Sequence, residues 1–463
     1  MNTRVLRIEL KRSLAPWAGV VVLATALVFP YLLGVATGWG TTAWTAQWTS
    51  LALWTRGLLF YLWPLAVGLG ALQGLRDHRS KVSELLTSTP RHAWHRAAAP
   101  AGAMAAVLAT AFALLVLQGA VQVFANTAYT HLGWLPISLV GALSLVAGAV
   151  LGMGAGRALP SVLTPPALTM SAFVFMTLMH MSQTRTDPAT GFEIREPNTL
   201  SLLSPAVAEV SDVFVTLSAP VHLGQTVWLL GMAATGFALL VAAGPRARLV
   251  ALTPLVAGAV LALLVLPSDP RRIYVADRTA AEMVCDGPVC VTKAHQGRLP
   301  DLADPGEKAL RLLRGALGGR APASVHEYVT VPWAGSAPRW PRETVLISFD
   351  DDMIATAKGE VLTRGLIAIG LVPECSPISG GGSVTYDDVT ARTVAVGWVL
   401  GDLQRLGGST DIGIDTIERG RPVWEELRAL PRAEQLSRVN AMRDAALSCE
   451  GGLLEALKGG ASR

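Results

Sequence analysis

Two short motifs in the C-terminal half carry residue types that catalysis often uses. His326-Glu327 begins like the H-E-x-x-H motif of zinc proteases, but residue 330 is a threonine, so the second histidine ligand is missing. Residues 350–352 are all aspartate. Such a run suits a divalent cation, or else forms a solvated helix start that favours the helix dipole. We therefore expect no catalytic residue and no resident metal in this chain.

All four cysteines also lie in the C-terminal half: Cys285, Cys290, Cys375 and Cys449. This clustering is typical of disulfides formed in an oxidising compartment. Three pairings are possible, and the sequence does not choose among them. Cys285 with Cys290 would close a tight loop and leave Cys375 with Cys449. A zinc site is the competing interpretation, but the spacing does not match paired C-x-x-C ligands.

The N-terminal half has the composition of a membrane domain. Hydrophobic residues make up 51% of the chain and charged residues only 16%, whereas about a quarter of a soluble domain is charged. Apolar runs of about 20 residues, enough to cross a bilayer, recur along this half. We predict transmembrane helices at residues 15–36, 52–74, 98–125, 134–156, 161–181, 221–243 and 249–267.

Basic residues give the orientation of these helices, because cytoplasmic loops are enriched in Lys and Arg. With the N-terminus inside, the inner segments hold most of the basic residues. The outer loops hold only Arg56 (near a helix start), Arg185 and Arg195. An odd number of helices then places the C-terminal half outside. If the last two helices, joined at 244–248, were one broken helix, that half would instead be cytoplasmic.

The segment between the second and third predicted helices, residues 75–96, is the most informative one. Its pattern predicts a short amphipathic helix halted by Pro90. Val82, Leu85 and Leu86 fall on one face. Such a helix can lie at the membrane surface or dock into a groove of another protein. The alternative is a plain basic loop needed only for topology.

This segment resembles the coupling helix of permeases of the type V ABC exporter family, which export drugs, lipids, peptides and polysaccharides. The residues that carry the resemblance are Arg76, Arg79, Glu84, Leu85, Leu86, Ser88, Thr89 and Pro90. In that family the coupling helix docks into the ATPase subunit. The resemblance implies that Glu84, Leu85 and Leu86 contact the ATPase. Arg76 and Arg79 would flank that contact.

Two further segments agree with this resemblance. Residues 1–14 mix basic and apolar side chains and resemble the interfacial connecting helix that opens such permeases; a basic segment bound to anionic lipid is the alternative. Residues 200–220, with Leu203-Ser204-Pro205, resemble the extracellular re-entrant region before the sixth helix. The resemblance covers roughly residues 1–243. The seventh helix and the outer domain depart from the six-helix family core.

The sequence contains no G-x-x-x-x-G-K-[ST] loop for nucleotide phosphates. The resemblance therefore implies that a separate ATPase subunit binds ATP and Mg²⁺, and that this chain binds no cofactor and is not an enzyme. Within the predicted third helix, Gln118, Gln122 and Asn126 recur every four residues. They would line a path or make hydrogen bonds between helices. The scarcity of charge in the spans suits a permease for an amphipathic or apolar solute, or a purely structural membrane protein.

Residues 268–463 form one domain of ordinary size, for which we expect a mixed α+β fold rich in helix. Strands are predicted at 273–275 and 345–348. Helices are predicted at 305–317, 352–368, 387–405 and 424–446.

The expected fold is an α-helical polytopic membrane protein of about seven transmembrane helices, a six-helix exporter core plus one, with an α+β soluble C-terminal domain. Its parts are an interfacial helix at 1–14, a transmembrane domain at 15–267 with the coupling segment 75–96, and an extracytoplasmic domain at 268–463.

The expected function is that of a permease subunit of an ABC exporter in the plasma membrane, with a cytoplasmic N-terminus and an outer domain for substrate or partner recognition. Its expected partners are an ABC ATPase, a second permease in a homodimer or heterodimer, and membrane lipid, but no nucleic acid. The alternative functions are a membrane-anchored extracytoplasmic enzyme and a sensor or receptor.

Overall fold

The computed structural model describes residues 13–37, 47–76, 92–127, 129–186, 193–195, 197–207, 214–329, 340–349, 351–373, 385–407 and 416–460. Within them the chain is mostly helical, with a small sheet region. It divides into two compact units, Met1–Ala276 and Asp277–Arg463. The second unit starts nine residues after the predicted start at 268, because the strand Tyr274–Ala276 pairs with Val215–Leu217 of the first unit.

The first unit is helical at each of the predicted spans. The helices are α1 (Ala15–Thr37), α2 (Trp48–Gly57), α3 (Leu59–Gly74), α4 (Ala93–Asn126), α5 (Trp134–Ala158), α6 (Thr164–Met181), α7 (Ala219–Val241), α8 (Pro245–Val250) and α9 (Thr253–Val265). Several begin with proline in their first turn, where its missing N–H has no helical partner to lose. Helices α2 and α3 meet at a bend of 49°.

In the described part of this unit, four helical segments are long and apolar enough to cross a membrane: α4, α5, α7 and the stretch Pro245–Val265 that α8 and α9 form together. The bent pair α2–α3 makes a fifth if it is one span. Helix α1 contributes a shorter apolar stretch, Ala15–Val28, which is not among these four segments. Helix α6 has only 18 residues and includes His180.

Small residues let α3, α5 and α7 approach each other closely. A Cβ atom on Gly152 of α5 would lie 2.1 Å from the carbonyl oxygen of Val67 on α3, and one on Gly154 would lie 2.2 Å from that of Gly236 on α7. Backbones this close gain dispersion contacts along their length, which is how apolar helices associate where the hydrophobic effect is absent. Helix α5 is therefore the centre of the unit.

Two short antiparallel pairs complete the first unit. Strand β1 (Thr184–Thr186) pairs with β2 (Glu193–Arg195), and β3 (Val215–Leu217) pairs with β4 (Tyr274–Ala276). The described residues between β2 and β3 include a single 3₁₀ turn, Ser201–Leu203.

The second unit is built on a four-stranded sheet in the order β5-β6-β7-β8. The strands are β5 (Met283–Asp286), β6 (Val289–Thr292), β7 (Ser324–Glu327) and β8 (Thr344–Ile347). Strands β5 and β6 form an antiparallel hairpin, and β6, β7 and β8 run parallel. The hairpin turn is Gly287-Pro288, and Gly287 has φ +56°, which glycine adopts without steric cost.

Helix α10 (Leu299–Leu317) connects the parallel strands β6 and β7. The later helices are α11 (Asp352–Ala355), α12 (Gly359–Leu371), α13 (Tyr386–Leu400), α14 (Thr416–Ala429), α15 (Arg432–Ser448) and α16 (Leu453–Lys458). The apolar faces of these helices and of the sheet share one core. Both strands predicted within 268–463 are present, each shifted by one residue: one is β8, and the other is β4 of the first unit.

All four predicted helices in this unit have wrong bounds. The helix predicted at 305–317 is α10, which starts six residues earlier, at Leu299. The helix predicted at 424–446 is two helices, α14 and α15, which break at Pro431 because proline cannot continue the hydrogen-bond ladder. The helix predicted to reach residue 405 ends at Leu400, where Gly401 takes φ +80° as a left-handed cap. The helix predicted at 352–368 is α11 followed by α12, which starts at Gly359 with φ +56°.

Candidate functional site

Most of the predicted coupling residues lie outside the described residues. These are Arg79, Glu84, Leu85, Leu86, Ser88 and Pro90. Arg76, which follows α3, is described and half-buried. The undescribed residues 77–91 follow α3 and precede α4 in the chain.

A hydrogen bond joins the end of the predicted interfacial segment to the helix that precedes the predicted coupling segment. The backbone N–H of Leu14, just before α1, donates to Oε1 of Gln73 at 3.0 Å. Gln73 is 5% exposed and lies in the last turn of α3. The start of α1 is therefore tied to α3 three residues before Arg76.

The main polar cluster of the first unit surrounds Arg56, which is fully buried in α2. Its Nε and Nη2 donate to the carbonyl oxygen of Pro205 at 3.0 and 2.8 Å. Nη2 also donates to Oε1 of Gln225 on α7 at 3.0 Å, and Nη1 donates to the carbonyl of Ile137 on α5 at 3.4 Å. Gly141 makes room for this side chain, because a Cβ there would lie 3.0 Å from Cδ of Arg56. One guanidinium thus joins α2, α5, α7 and the segment around Pro205.

The segment 197–207 is inserted against α2, α6 and α7. Its backbone carbonyls accept from side chains of α7: Leu202 from Nε2 of Gln225 at 3.0 Å, and Leu203 from Nε1 of Trp228 at 3.0 Å. Ser204 is 5% exposed, and its hydroxyl contacts Sδ of Met176 on α6 at 3.5 Å. Buried backbone needs such partners. The segment is therefore part of the folded interior and is not a surface loop.

The predicted polar stripe faces outward in the single chain. Gln118 and Asn126 are exposed and Gln122 is half-buried. The same side of α4 carries Leu117 and Val121, which are 60% and 65% exposed. Gln118 and Asn126 therefore lie on the outer side of the described bundle, and Gln122 is partly covered by it.

In the second unit, a histidine and a glutamate meet beyond the carboxyl ends of the parallel strands. Nδ1 of His295 lies 2.5 Å from Oε1 of Glu327, the last residue of β7. The other carboxylate oxygen accepts the backbone N–H of Thr292, the last residue of β6, at 2.7 Å. Glu327 is only 3% exposed, and the His295 ring lies 4.6 Å from the ring of Phe349 after β8. Ligands of open α/β sheets bind at this edge.

The neighbours of this pair take structural roles. Burial raises the pKa of Tyr328, whose backbone N–H continues the sheet by donating to Ile347 at 2.7 Å. Of the predicted aspartate run, Asp351 caps α11 by accepting the N–H of Met353 at 2.8 Å. Asp350 and the side chain of Asp352 lie outside the described residues. Among the described residues, no three His, Cys, Asp or Glu side chains converge as metal ligands.

Cys285 and Cys290 are joined by a disulfide between register partners of the β5–β6 hairpin. This is the tight-loop pairing that the sequence left open. Cys449 is also disulfide-bonded. Cys375 lies outside the described residues.

Sequence reasoning missed the residues that organise both clusters. Arg56 was placed near a helix start in an outer loop, although it lies inside the apolar run predicted at 52–74, and a charged residue inside such a run was the available signal. Gln225 gave a weaker signal of the same kind. For His295 no local signal existed, because its partner Glu327 lies 32 residues away.

No family model, no curated protein and no solved structure matches this chain.

Proposed function

We propose that the chain is the transmembrane permease subunit of an ATP-driven ABC transporter of the type V exporter kind, with about seven transmembrane helices. The observation that carries this proposal is the insertion of residues 197–207 against α2, α6 and α7. The resemblance expects a re-entrant region at this place in the chain, between the fifth and sixth spans. Buried carbonyls held by Arg56, Gln225 and Trp228 are what a segment entering a bundle of apolar helices requires.

The proposed topology places the N-terminus in the cytoplasm and the second unit outside. The excess of basic residues in the inner segments supports this orientation. The disulfide between Cys285 and Cys290 supports an oxidising compartment for the second unit. There the unit would recognise the substrate or a partner.

The outward-facing amide of Gln118 on α4 supports a second permease subunit. Gln118 is exposed beside Leu117 and Val121, and polar groups facing hydrocarbon are costly unless they find partners. A second copy or a related permease against this side of α4 would cover this amide. An amphipathic or apolar solute would then cross along the seam between the two subunits.

The contact between Leu14 and Gln73 supports a transmission route from the ATPase. In this proposal, a push from the ATPase acts on the end of α3, and the hydrogen bond between Leu14 and Gln73 passes it to the start of α1. ATP and Mg²⁺ belong to the ATPase subunit in this proposal.

Co-purification with the ATPase encoded nearest to this chain tests the proposal. Glu84→Arg and Leu85→Asp should each abolish the complex while expression of the permease stays unchanged. The matched control is Glu425→Arg, the same charge reversal on an exposed residue of α14, which should leave the complex intact. If no ATPase associates with the wild-type chain, or if both coupling variants bind it normally, the exporter proposal is wrong.

A second candidate function is a membrane-anchored extracytoplasmic enzyme or receptor. The observation that favours it is the buried Glu327, which fixes the ring of His295 by its Nδ1 in the way that catalytic and ligand-binding histidines are oriented. An activity or ligand affinity of the second unit that is lost in His295→Asn, with ATPase binding unchanged, would establish this candidate.

A further inference from the structure

One edge of the Arg56 guanidinium has the geometry that binds anions, but the oxygen atoms that it contacts are uncharged. In the described part of the chain, these acceptors are the carbonyl oxygens of Pro205 and Ile137 and the amide oxygen of Gln225. A buried guanidinium is stabilised best by a negative partner, because desolvation of the charge is costly. The cluster therefore carries a positive charge without a formal counter-charge among these contacts.

The geometry of the Pro205 contact shows which chemistry would fit. Nε and Nη2 form the edge of the guanidinium that binds the two oxygens of a carboxylate or phosphate in parallel. Here one carbonyl oxygen occupies that edge, at 3.0 and 2.8 Å from the two nitrogens. An anionic group would replace one shared acceptor by two charged ones and would bind Arg56 more strongly than Pro205 does.

A second observation at the same place also indicates a ligand. His222 lies three residues before Gln225 on α7, so the two side chains share one face of the helix. Nδ1 of His222 is buried and has no hydrogen-bond partner within 3.5 Å among the described residues, so the imidazole has only a weaker contact with the backbone of Leu217, and it lies close enough to Arg56 to interact with its charge. A buried polar atom without a partner costs free energy, and a bound anionic group would supply one.

The segment that covers this edge is attached by contacts that can be exchanged. Leu202, Leu203 and Pro205 contact α2 and α7 through carbonyl oxygens that accept from side chains. Moving the segment away therefore breaks no helical backbone ladder. The same donors would then be available to an incoming acceptor.

We propose that Arg56, with His222 and Gln225, is a recognition site for the anionic head group of an amphiphile, a phosphate or carboxylate, and that the carbonyl of Pro205 occupies this site in the closed arrangement. The apolar helices around the cluster would accommodate the tail. The inference rests on the proposed function, for which it names the substrate class: an amphipathic solute with a negatively charged head group.

The test measures whether an anionic amphiphile releases the segment 197–207. Ser204→Cys is introduced into the full chain in phosphatidylcholine nanodiscs, and its labelling rate by a maleimide is measured. Because Ser204 is 5% exposed, labelling should be slow. Dodecyl phosphate should accelerate it by at least about fivefold, the low end of typical coupling between sites. Dodecyl maltoside, which has the same chain and no charge, should have no effect.

Variants assign the effect to the guanidinium. The acceleration should disappear with Arg56→Gln and be reduced with Arg56→Lys, which keeps the charge but loses the two-nitrogen edge. Arg157→Gln, at the last turn of α5, is the matched control and should behave as wild type. If Arg56→Gln does not fold, Arg56→Lys and His222→Ala provide the same comparison with milder changes.

Each outcome decides the inference. No acceleration by dodecyl phosphate, equal acceleration by dodecyl maltoside, or an acceleration of wild-type size in the folded Arg56 variants would overturn it. Acceleration by inorganic phosphate alone, equal to that by dodecyl phosphate, would support the anion site and assign it to a free anion instead of a head group. The assay contains no ATPase, so a failed co-purification overturns the exporter proposal without affecting this result.

Discussion

Arg443 connects three segments of the second unit and allows a quantitative test of its packing. The residue lies on α15 and is 3% exposed. Nη1 donates to the carbonyl of Arg320 at 2.6 Å, Nη2 to that of Arg342 at 2.7 Å, and Nε to that of Gly370 at 3.1 Å. Burial lowers the pKa of the guanidinium, as expected for a cation removed from water.

The expected loss of stability follows from these contacts. Each hydrogen bond from a charged donor contributes about 1.5–3 kcal/mol. Arg443→Met removes three of them, but it also removes the desolvation cost of the cation, so the net loss should be about 3–5 kcal/mol in the free energy of unfolding. Arg443→Lys keeps the charge but not the planar fork, and should lose about one such bond, about 2 kcal/mol.

Hydrogen–deuterium exchange of the full chain in detergent measures this loss. Peptides that cover α12 and α15 should exchange about a hundred to a few thousand times faster in Arg443→Met, because each 1.4 kcal/mol corresponds to a factor of about ten. The control is Arg342→Met, whose exposed side chain pairs with Asp444 at 2.8 Å and should cost less than about 1 kcal/mol. If the two variants exchange at similar rates, the carbonyl contacts of Arg443 do not stabilise the second unit.

Two further predictions concern the first unit. Burial raises the pKa of Tyr274 on β4 to about 12. Because the folded state favours the neutral phenol, the stability that this group contributes is fully present below about pH 10 and is lost between about pH 10 and pH 12. The midpoint temperature of thermal unfolding should therefore fall more steeply above about pH 10 in wild type than in Tyr274→Phe. Equal pH dependence in the two proteins would show that the pKa of Tyr274 is not raised by folding. A Cβ on Gly152 would lie 2.1 Å from the backbone oxygen of Val67, whereas Gly315 on α10 has open space around it. Gly152→Leu should abolish the monodisperse peak in size-exclusion chromatography and Gly315→Ala should not; a normal peak for Gly152→Leu would show that α3 and α5 do not pack this closely.

The positions of the secondary-structure elements were predictable because they depend on local patterns. The apolar runs became α1 to α9 with ends near the expected residues, and both strands predicted within 268–463 are present within one residue, as β4 of the first unit and β8 of the second. Errors occurred where one residue decided the outcome. Pro431 separates α14 from α15, and Gly401 ends α13, although the hydrophobic pattern continues past both.

The candidate sites depended on tertiary structure for a different reason. Arg56 is one basic residue in an apolar run, and its partners at Ile137, Pro205 and Gln225 lie 81 to 169 residues away. His295 and Glu327 meet because the ends of parallel strands converge at one edge of a sheet. Hydrophobic periodicity acts over a few residues and therefore determined the helices from the sequence alone. The pairing of buried polar atoms is decided only when distant segments come into contact, so it is determined by the tertiary structure.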